Sequence, residues 1–163
     1  MAAYLLKKAG LRVAVLERER LGARDSGHTT AHLTCVTDER LYKLAENFGR
    51  SHAQAACDAG MAAIDEIEHI VHDQNITCEF SRVPGYLHVP VSGGQADERA
   101  TLRKDAKLAN EFGLNAAYLD RVPFMNTPGV RFADQAKFHP LKFLSTLAKR
   151  SKAEAPMSLR VRP

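Results

Sequence analysis

Glu17 stands at the end of a short apolar run, Leu11-Arg12-Val13-Ala14-Val15-Leu16, and a carboxylate at that position has a specific use. At a strand's end in a dinucleotide-binding βαβ unit, an acidic side chain accepts hydrogen bonds from the ribose hydroxyls of the adenosine half. The neighbouring residues read as matching elements. Residues 1–8 read as a helix, Gly10 as its stop and 11–16 as a buried strand. The Gly-rich turn that cradles the pyrophosphate belongs ahead of such a helix. The chain opens inside the helix, so the expectation is a partial unit without strand one and without that turn.

The segment after Glu17, Arg18 to Thr37, is polar and punctuated by glycine. Long ordered loops in compact domains often carry function. The other chemistry-bearing residues are scattered. His69 and His72 are three apart on one helix, but no third ligand is placed by spacing, so no metal site is expected. His28, His52, His88 and His139 carry no catalytic signal. Cys35, Cys57 and Cys78 are odd in number, widely spaced and free of any CxxC pattern. They read as ordinary thiols of a reducing compartment, which gives a cytoplasmic expectation. Nothing near Cys35 in sequence would lower its pKa.

Helices must position these residues. Asp38 reads as the cap of a helix over 39–48 that Gly49 stops. Ser51 and Gln54 form a capping-box pattern for the next helix, to about His72, with Ala56, Ala59, Ala63, Ile67 and Ile70 as its buried stripe. Then the period shortens. Residues 78–83 and 86–91 read as two strands joined at Pro84-Gly85, and Ser92-Gly93-Gly94 as a break. A helix over 96–112, a strand over 116–119 and a strand over 130–133 follow. Pro140 opens a last helix, with Leu141, Leu144 and Leu147 on one face. Tyr86 reads either as facing a bound small molecule or, as is commoner for such a tyrosine, as core with a solvated tip, and it is assigned no role. The tail from 153 to 163 reads as poorly ordered, although 158–162 alternates like a strand.

Bulk properties exclude several classes. A 163-residue chain with 45% apolar and 26% charged residues is globular in composition. No apolar run reaches the ~18 residues of a transmembrane helix, and Lys7 and Lys8 interrupt any signal-peptide core. The net charge of +4 sits entirely in the tail from Lys149 onward, so no basic stripe marks a folded element and no nucleic-acid partner is expected.

Two stretches carry a resemblance. Ala2-Ala3-Tyr4-Leu5-Leu6 through Leu16-Glu17-Arg18, joined to Asp25-Ser26-Gly27-His28-Thr29-Thr30-Ala31-His32-Leu33-Thr34, resembles the D-amino acid oxidase/glycine oxidase superfamily of FAD-dependent oxidoreductases. The Thr-Thr-Ala-His-Leu-Thr string resembles the branch often fused to a C-terminal Rieske iron–sulfur domain. Residues 63–68 through 82–87 resemble the passage from FAD domain to substrate domain, and Phe138-His139-Pro140 the return. The resemblance implies an α/β fold: a partial Rossmann-like FAD-binding domain over 1–74 and 136–152, with an inserted, mostly antiparallel α+β substrate domain over 75–135. It implies FAD as cofactor and oxidation of a C–N bond of an amine or amino acid, with hydride transfer to the flavin. Glu17 matches the ribose-binding acid, and Arg18 the adenosine pocket. Asp25 and Ser26 match the loop near the phosphates and ribityl chain; a turn with local hydrogen bonds is the alternative. Thr30, Ala31 and His32 match the stretch beside the isoalloxazine ring, with Thr29 and Leu33 as neighbours. The family's basic substrate residue is expected beyond residue 150, and no catalytic residue is assigned.

Three functions stay open from the sequence. The first is the FAD-dependent oxidoreductase, expected to be inactive as this truncated chain alone. The second is a non-catalytic partial domain that pairs its exposed edges with another chain. The third is an NAD(P)-binding domain, since Glu17 alone does not distinguish NAD from FAD.

Overall fold

The computed structural model describes the chain except residues 18–20, 24, 90–94, 124, 154–158 and 162–163. Among the described residues, five α-helices and six strands follow in the order α1 (Ala2–Lys8), β1 (Val15–Glu17), β2 (His32–Leu33), α2 (Leu41–Phe48), α3 (Arg50–Asp73), β3 (Ser81–His88), α4 (Gln95–Glu111), β4 (Ala116–Leu119), β5 (Gly129–Lys137), α5 (Pro140–Ala153) and β6 (Leu159–Val161). The α/β class expected from the sequence is the one observed. Two compact units divide the chain: Met1–Ala31, Glu68–Phe80 and Phe138–Pro163 form one, and His32–Ile67 with Ser81–Lys137 the other. The expected FAD-binding segment 1–74 is thus split, with 32–67 grouped in the second unit.

In the first unit, α1 ends on Lys7 and Lys8, whose charges suit a helix C-terminus. Gly10 takes φ +83° just beyond it. The strand expected over 11–16 is shorter and later. Val15–Glu17 pairs in parallel with Leu159–Val161, the alternating part of the tail. Leu11 and Leu16 are 55% and 79% exposed, so the run is apolar without being buried. One ladder is its only sheet partner among the described residues. α5 buries Phe143 and Leu147, while Leu141 of the expected stripe is exposed and Leu144 half-buried. Phe143 meets Phe138 edge-on, with ring centroids 5.4 Å apart. The His139 N–H donates to the Cys78 carbonyl at 2.7 Å, and Lys142 pairs with Glu79.

The second unit is an antiparallel sheet in the order β2-β5-β3, with β4 also on β5. Pro84-Gly85 does not turn the chain. It lies inside one continuous strand, β3, where the register against β5 shifts between Val83 and Gly85. Proline has no N–H to give a ladder, and an irregularity is where a strand accommodates it. β5 likewise extends beyond the expected 130–133 to Lys137. Val130 and Phe132 of β5, with Ala116 of β4, pack on Leu102, Ala106 and Ala109 of α4.

Three helix details differ from the sequence reading. Arg40, not Asp38, is the N-cap of α2, without a side-chain cap bond. α3 starts at Arg50, directly after Gly49 (φ +86°), so Ser51 and Gln54 lie inside the helix and make no capping box. Its buried face runs through Ala53, Cys57, Ile64 and Ile70, while Ala56, Ala59 and Ala63 are exposed. Alanine is small and tolerant of either face, so alanine spacing is a weak guide to the side that packs. Gly60 marks that face instead, because a Cβ there would lie 2.9 Å from Cys35 Cα.

Asp105 of α4 is 1% exposed. It accepts from Arg40 Nε at 2.5 Å and from the Tyr42 N–H at 2.9 Å. Asp105→Ala strands a half-buried guanidinium and a backbone donor, and the expected loss is about 3 kcal/mol. Urea unfolding of Asp105→Ala against wild type measures it; a loss below about 1 kcal/mol would show that water replaces the carboxylate without cost.

Candidate cofactor site

The candidate residues fall on three pieces of backbone. Glu17 closes β1, half-buried and held by a partner within the protein. Its strand is parallel to β6, with Glu17 opposite Val161 at the carboxyl end. Ligands of open parallel sheets bind outside that end of the strands. Arg18 lies outside the described residues.

Asp25 and Ser26 sit in a one-turn 3-10 segment, Asp25–Gly27. The turn is tight: the His28 N–H donates to the Asp25 carbonyl at 3.0 Å. A Cβ on Gly27 would stand 2.5 Å from the Gly22 carbonyl oxygen, so only glycine fits. From Asp25 to Thr30 every residue is exposed. Hydroxyls and backbone N–H groups of such a turn remain open to an anionic group. Thr29 Oγ1 accepts from the Ala31 N–H at 3.3 Å.

Ala31 adopts φ +65°, a left-handed conformation that costs an alanine roughly 1 kcal/mol or more. The Phe138 N–H donates to its carbonyl at 3.2 Å and holds it there. Such an outlier survives only where its surroundings over-determine it, and these cluster at ligand sites.

His32 and Leu33 form β2 in the second unit, opposite Lys137 and Ala136. The His32 ring lies over Gly85, with Cε1 and Nε2 both 3.4 Å from where a Cβ would stand. Glycine at 85 therefore lets the imidazole rest on β3. The same unit holds a cavity of about 210 Å³ lined by Asp58, Met61, Phe112, Leu114, Phe132 and Gln135 among others. Neither His32 nor Leu33 lines it.

Sequence reasoning passed over two polar residues of the core. Gln135 is 2% exposed and accepts from the Cys35 N–H at 2.8 Å. Asp105 falls within the helix expected over 96–112, which assigned it no role. A carboxylate between Lys104 and Ala106 carries no pattern that separates burial from exposure; only the apolar neighbours Leu102, Ala106 and Ala109 hint at its side of the helix.

The FAD dependent oxidoreductase family matches residues 1–155. The chain belongs to that family. Members are FAD-dependent, and the resemblance read from the sequence holds. A Bacillus subtilis (strain 168) protein named as a Rieske 2Fe-2S iron–sulfur protein, YhfW, is 29% identical over 149 residues; the match covers 89% of this chain and 28% of that protein. L-proline dehydrogenase from P. horikoshii shares the fold at TM-score 0.68 and 14% identity, over 98% of this chain and 40% of that one. Glycine oxidase from Geobacillus kaustophilus does so at TM-score 0.61 and 16% identity, over 98% and 42%. This member of the FAD dependent oxidoreductase family thus spans well under half the length of these relatives. No helix among its described residues is long and apolar enough to cross a membrane, and no group of three metal-ligating side chains occurs among them.

Its three cysteines are free and buried. Burial pushes the Cys57 thiol up to about 11, with nearby Cys35 and Asp58 adding to the rise. Burial likewise raises Cys35 and Cys78. A raised thiol pKa stabilises the folded state below the ordinary value near 9 and loses that contribution as pH climbs toward 11. The expected outcome is no labelling by iodoacetamide at pH 8 in the folded chain and three labels in urea, read by mass spectrometry. A label on Cys57 under native conditions would contradict its burial.

Proposed function

We propose that the chain is the part of an FAD-dependent oxidoreductase that seats the adenosine end of FAD and presents a substrate-facing sheet, in an enzyme that oxidises a C–N bond of an amine or amino acid. The observation that carries the reading is Glu17 at the carboxyl end of a parallel strand, followed by an exposed tight turn and the left-handed Ala31. Glu17 would accept from the ribose hydroxyls. Asp25, Ser26 and the adjacent N–H groups would meet the phosphates and ribityl chain, and Thr29 to Leu33 would line the ring. Bound FAD supplies the hydride-accepting chemistry, and the protein supplies placement. We assign the first unit to the adenosine and phosphate end of the cofactor, and the antiparallel sheet of the second to the substrate. The solved relatives include proteins named as L-proline dehydrogenase, glycine oxidase and L-amino acid deaminase, which supports an amino acid or amine as substrate. The relative named as a Rieske protein supports a Rieske domain in the full-length enzyme.

A second reading, a domain whose role is contact with another chain, draws on the exposure of Leu11 and Leu16.

One titration separates the readings. Flavin fluorescence polarisation against the purified chain is expected to saturate. Glu17→Ala should weaken binding about tenfold, because a hydrogen bond to a charged group contributes about 1.5–3 kcal/mol. Saturation by NAD at lower concentration than FAD would favour a nicotinamide-binding domain. Absence of any saturable FAD binding would remove the cofactor role and leave the contact role.

A further inference from the structure

Along the chain, α4 carries no excess of charge. Asp97, Glu98, Asp105 and Glu111 balance Arg99, Arg103, Lys104 and Lys107. Folding separates the two signs. Asp105 is buried against Arg40, and Glu98 meets the same guanidinium at 3.2 Å. Two carboxylates of α4 are therefore held by the residue that opens α2. Arg99, Arg103 and Lys107 recur every four residues, about one turn apart on one side of the helix, with Lys104 beside them. The side chains of Arg103 and Lys107 are 63% and 82% exposed, so this row faces solvent. The expectation that no basic stripe marks a folded element is corrected here. The stripe is hidden in the sequence by acids that turn inward.

The row belongs to a wider patch of the second unit. Arg103 stacks on the Tyr118 ring at 4.4 Å, and Lys104 lies over the Tyr42 ring at 4.7 Å. Carboxylates answer only part of the charge. Asp120 lies 3.7 Å from both Arg99 and Arg103. Glu46 pairs with Lys104 at 2.5 Å, and Glu111 is shared by Arg50 at 2.7 Å and Lys107 at 4.0 Å. Among the described residues, the cations of this patch outnumber the carboxylates that meet them. Beside the row lies a groove of about 340 Å³, lined by Tyr42, Ala45 and Leu108 together with Arg50, Lys104 and Glu111 among others.

The pattern of signs selects a partner. A row of phosphates, in a nucleic acid or a membrane surface, is drawn to a field of one sign. Here Asp120, Glu46 and Glu111 interrupt the cations and would repel such a row. A polypeptide sets its charges singly, so its carboxylates can reach Arg99, Arg103 and Lys107 and avoid the acids between them. Tyrosine and arginine are also the residue types enriched where proteins meet. The groove offers an apolar side chain a seat beside the charges.

We propose that the outer side of α4 and the adjoining α2–α4 groove form a docking surface for an acidic polypeptide segment. Its carboxylates pair with Arg99, Arg103 and Lys107, and one of its apolar side chains enters the groove. None of the candidate cofactor residues lines that groove, so the surface stands independently of the oxidoreductase reading.

The test is fluorescence polarisation with the full 163-residue chain at low and at physiological salt. The probes are a labelled oligo-glutamate peptide with one central phenylalanine, plain oligo-glutamate and labelled duplex DNA. Vesicles of phosphatidylglycerol in phosphatidylcholine are followed by co-sedimentation, and amide NMR shifts locate the contact. The expected result is saturable binding of the phenylalanine-bearing peptide, with shifts in α2 and α4. Binding should weaken about tenfold at physiological salt, where exposed charges are screened beyond about 8 Å. Arg103→Glu and Lys107→Glu should each weaken it severalfold, since reversal turns attraction into repulsion. Lys149→Glu, the same charge change in the other unit, should leave it unchanged. All three residues are exposed, and circular dichroism checks that the variants remain folded. No saturable peptide binding, an equal loss in Lys149→Glu, or shifts confined to other elements would each overturn the proposal. Tighter binding of duplex DNA or of the vesicles would overturn it too, by assigning the surface to phosphates. Equal affinity for the two peptides would overturn the role given to the groove.

Discussion

A single buried carboxylate organises the larger unit. Asp105 lies on the inner side of α4, away from water, and a charge there is tolerated only when hydrogen bonds replace its hydration. Arg40 and the Tyr42 backbone supply them, and Glu98 joins Arg40 at 3.2 Å. The consequence is positional. The entry into α2 is tied to the middle of α4, and the apolar neighbours of Asp105, Leu102, Ala106 and Ala109, are thereby seated on Val130 and Phe132 of β5. β5 then serves as the common partner of β2, β3 and β4. The sheet's polar face inherits its order from a charge held on the other side.

The smaller unit rests on different physics. Its parallel ladder is three residues long, and much of its packing comes from α5 and the chain around Cys78. Short parallel ladders contribute little by themselves. Its candidate cofactor residues are therefore held by turn geometry: Gly27 folded onto the Gly22 carbonyl, and Ala31 fixed by Thr29 and Phe138.

Much of this was legible in the residues. Helix ends marked by Gly49 and Gly113 fell where glycine at positive φ ends a helix, and the family could be read from Glu17 and the loop after it. What escaped had physical causes. The Pro84-Gly85 pair is a turn signal in isolation, and only the long partner strand β5 turns it into an irregularity within β3. The alanines of α3 matched the helical period on the wrong side, because methyl groups give little bias between faces. Arg131 lies between the apolar Val130 and Phe132, and its lack of a counter-ion among the described residues is a fact of three strands in register, invisible along one. Apart from Glu17 at its strand's end, the candidate cofactor residues are legible only as a resemblance, since exposed polar loops carry no packing signature.

The irregularity at Gly85 has a bearing on how such a protein can diversify. Along β3 and β5, alternate positions answer to different demands: one set packs against the core built on α4, and the other lies on the opposite face. Substitutions at 86, 88 and 131 can therefore be accommodated while leaving the hydrophobic contacts to α4 untouched. Gly85 is the exception, because both His32 and Gln135 crowd the space of a side chain there. As such a sequence diverges, residues on the opposite face are free to drift, whereas the glycine beneath the imidazole is held in place by the two side chains that crowd it.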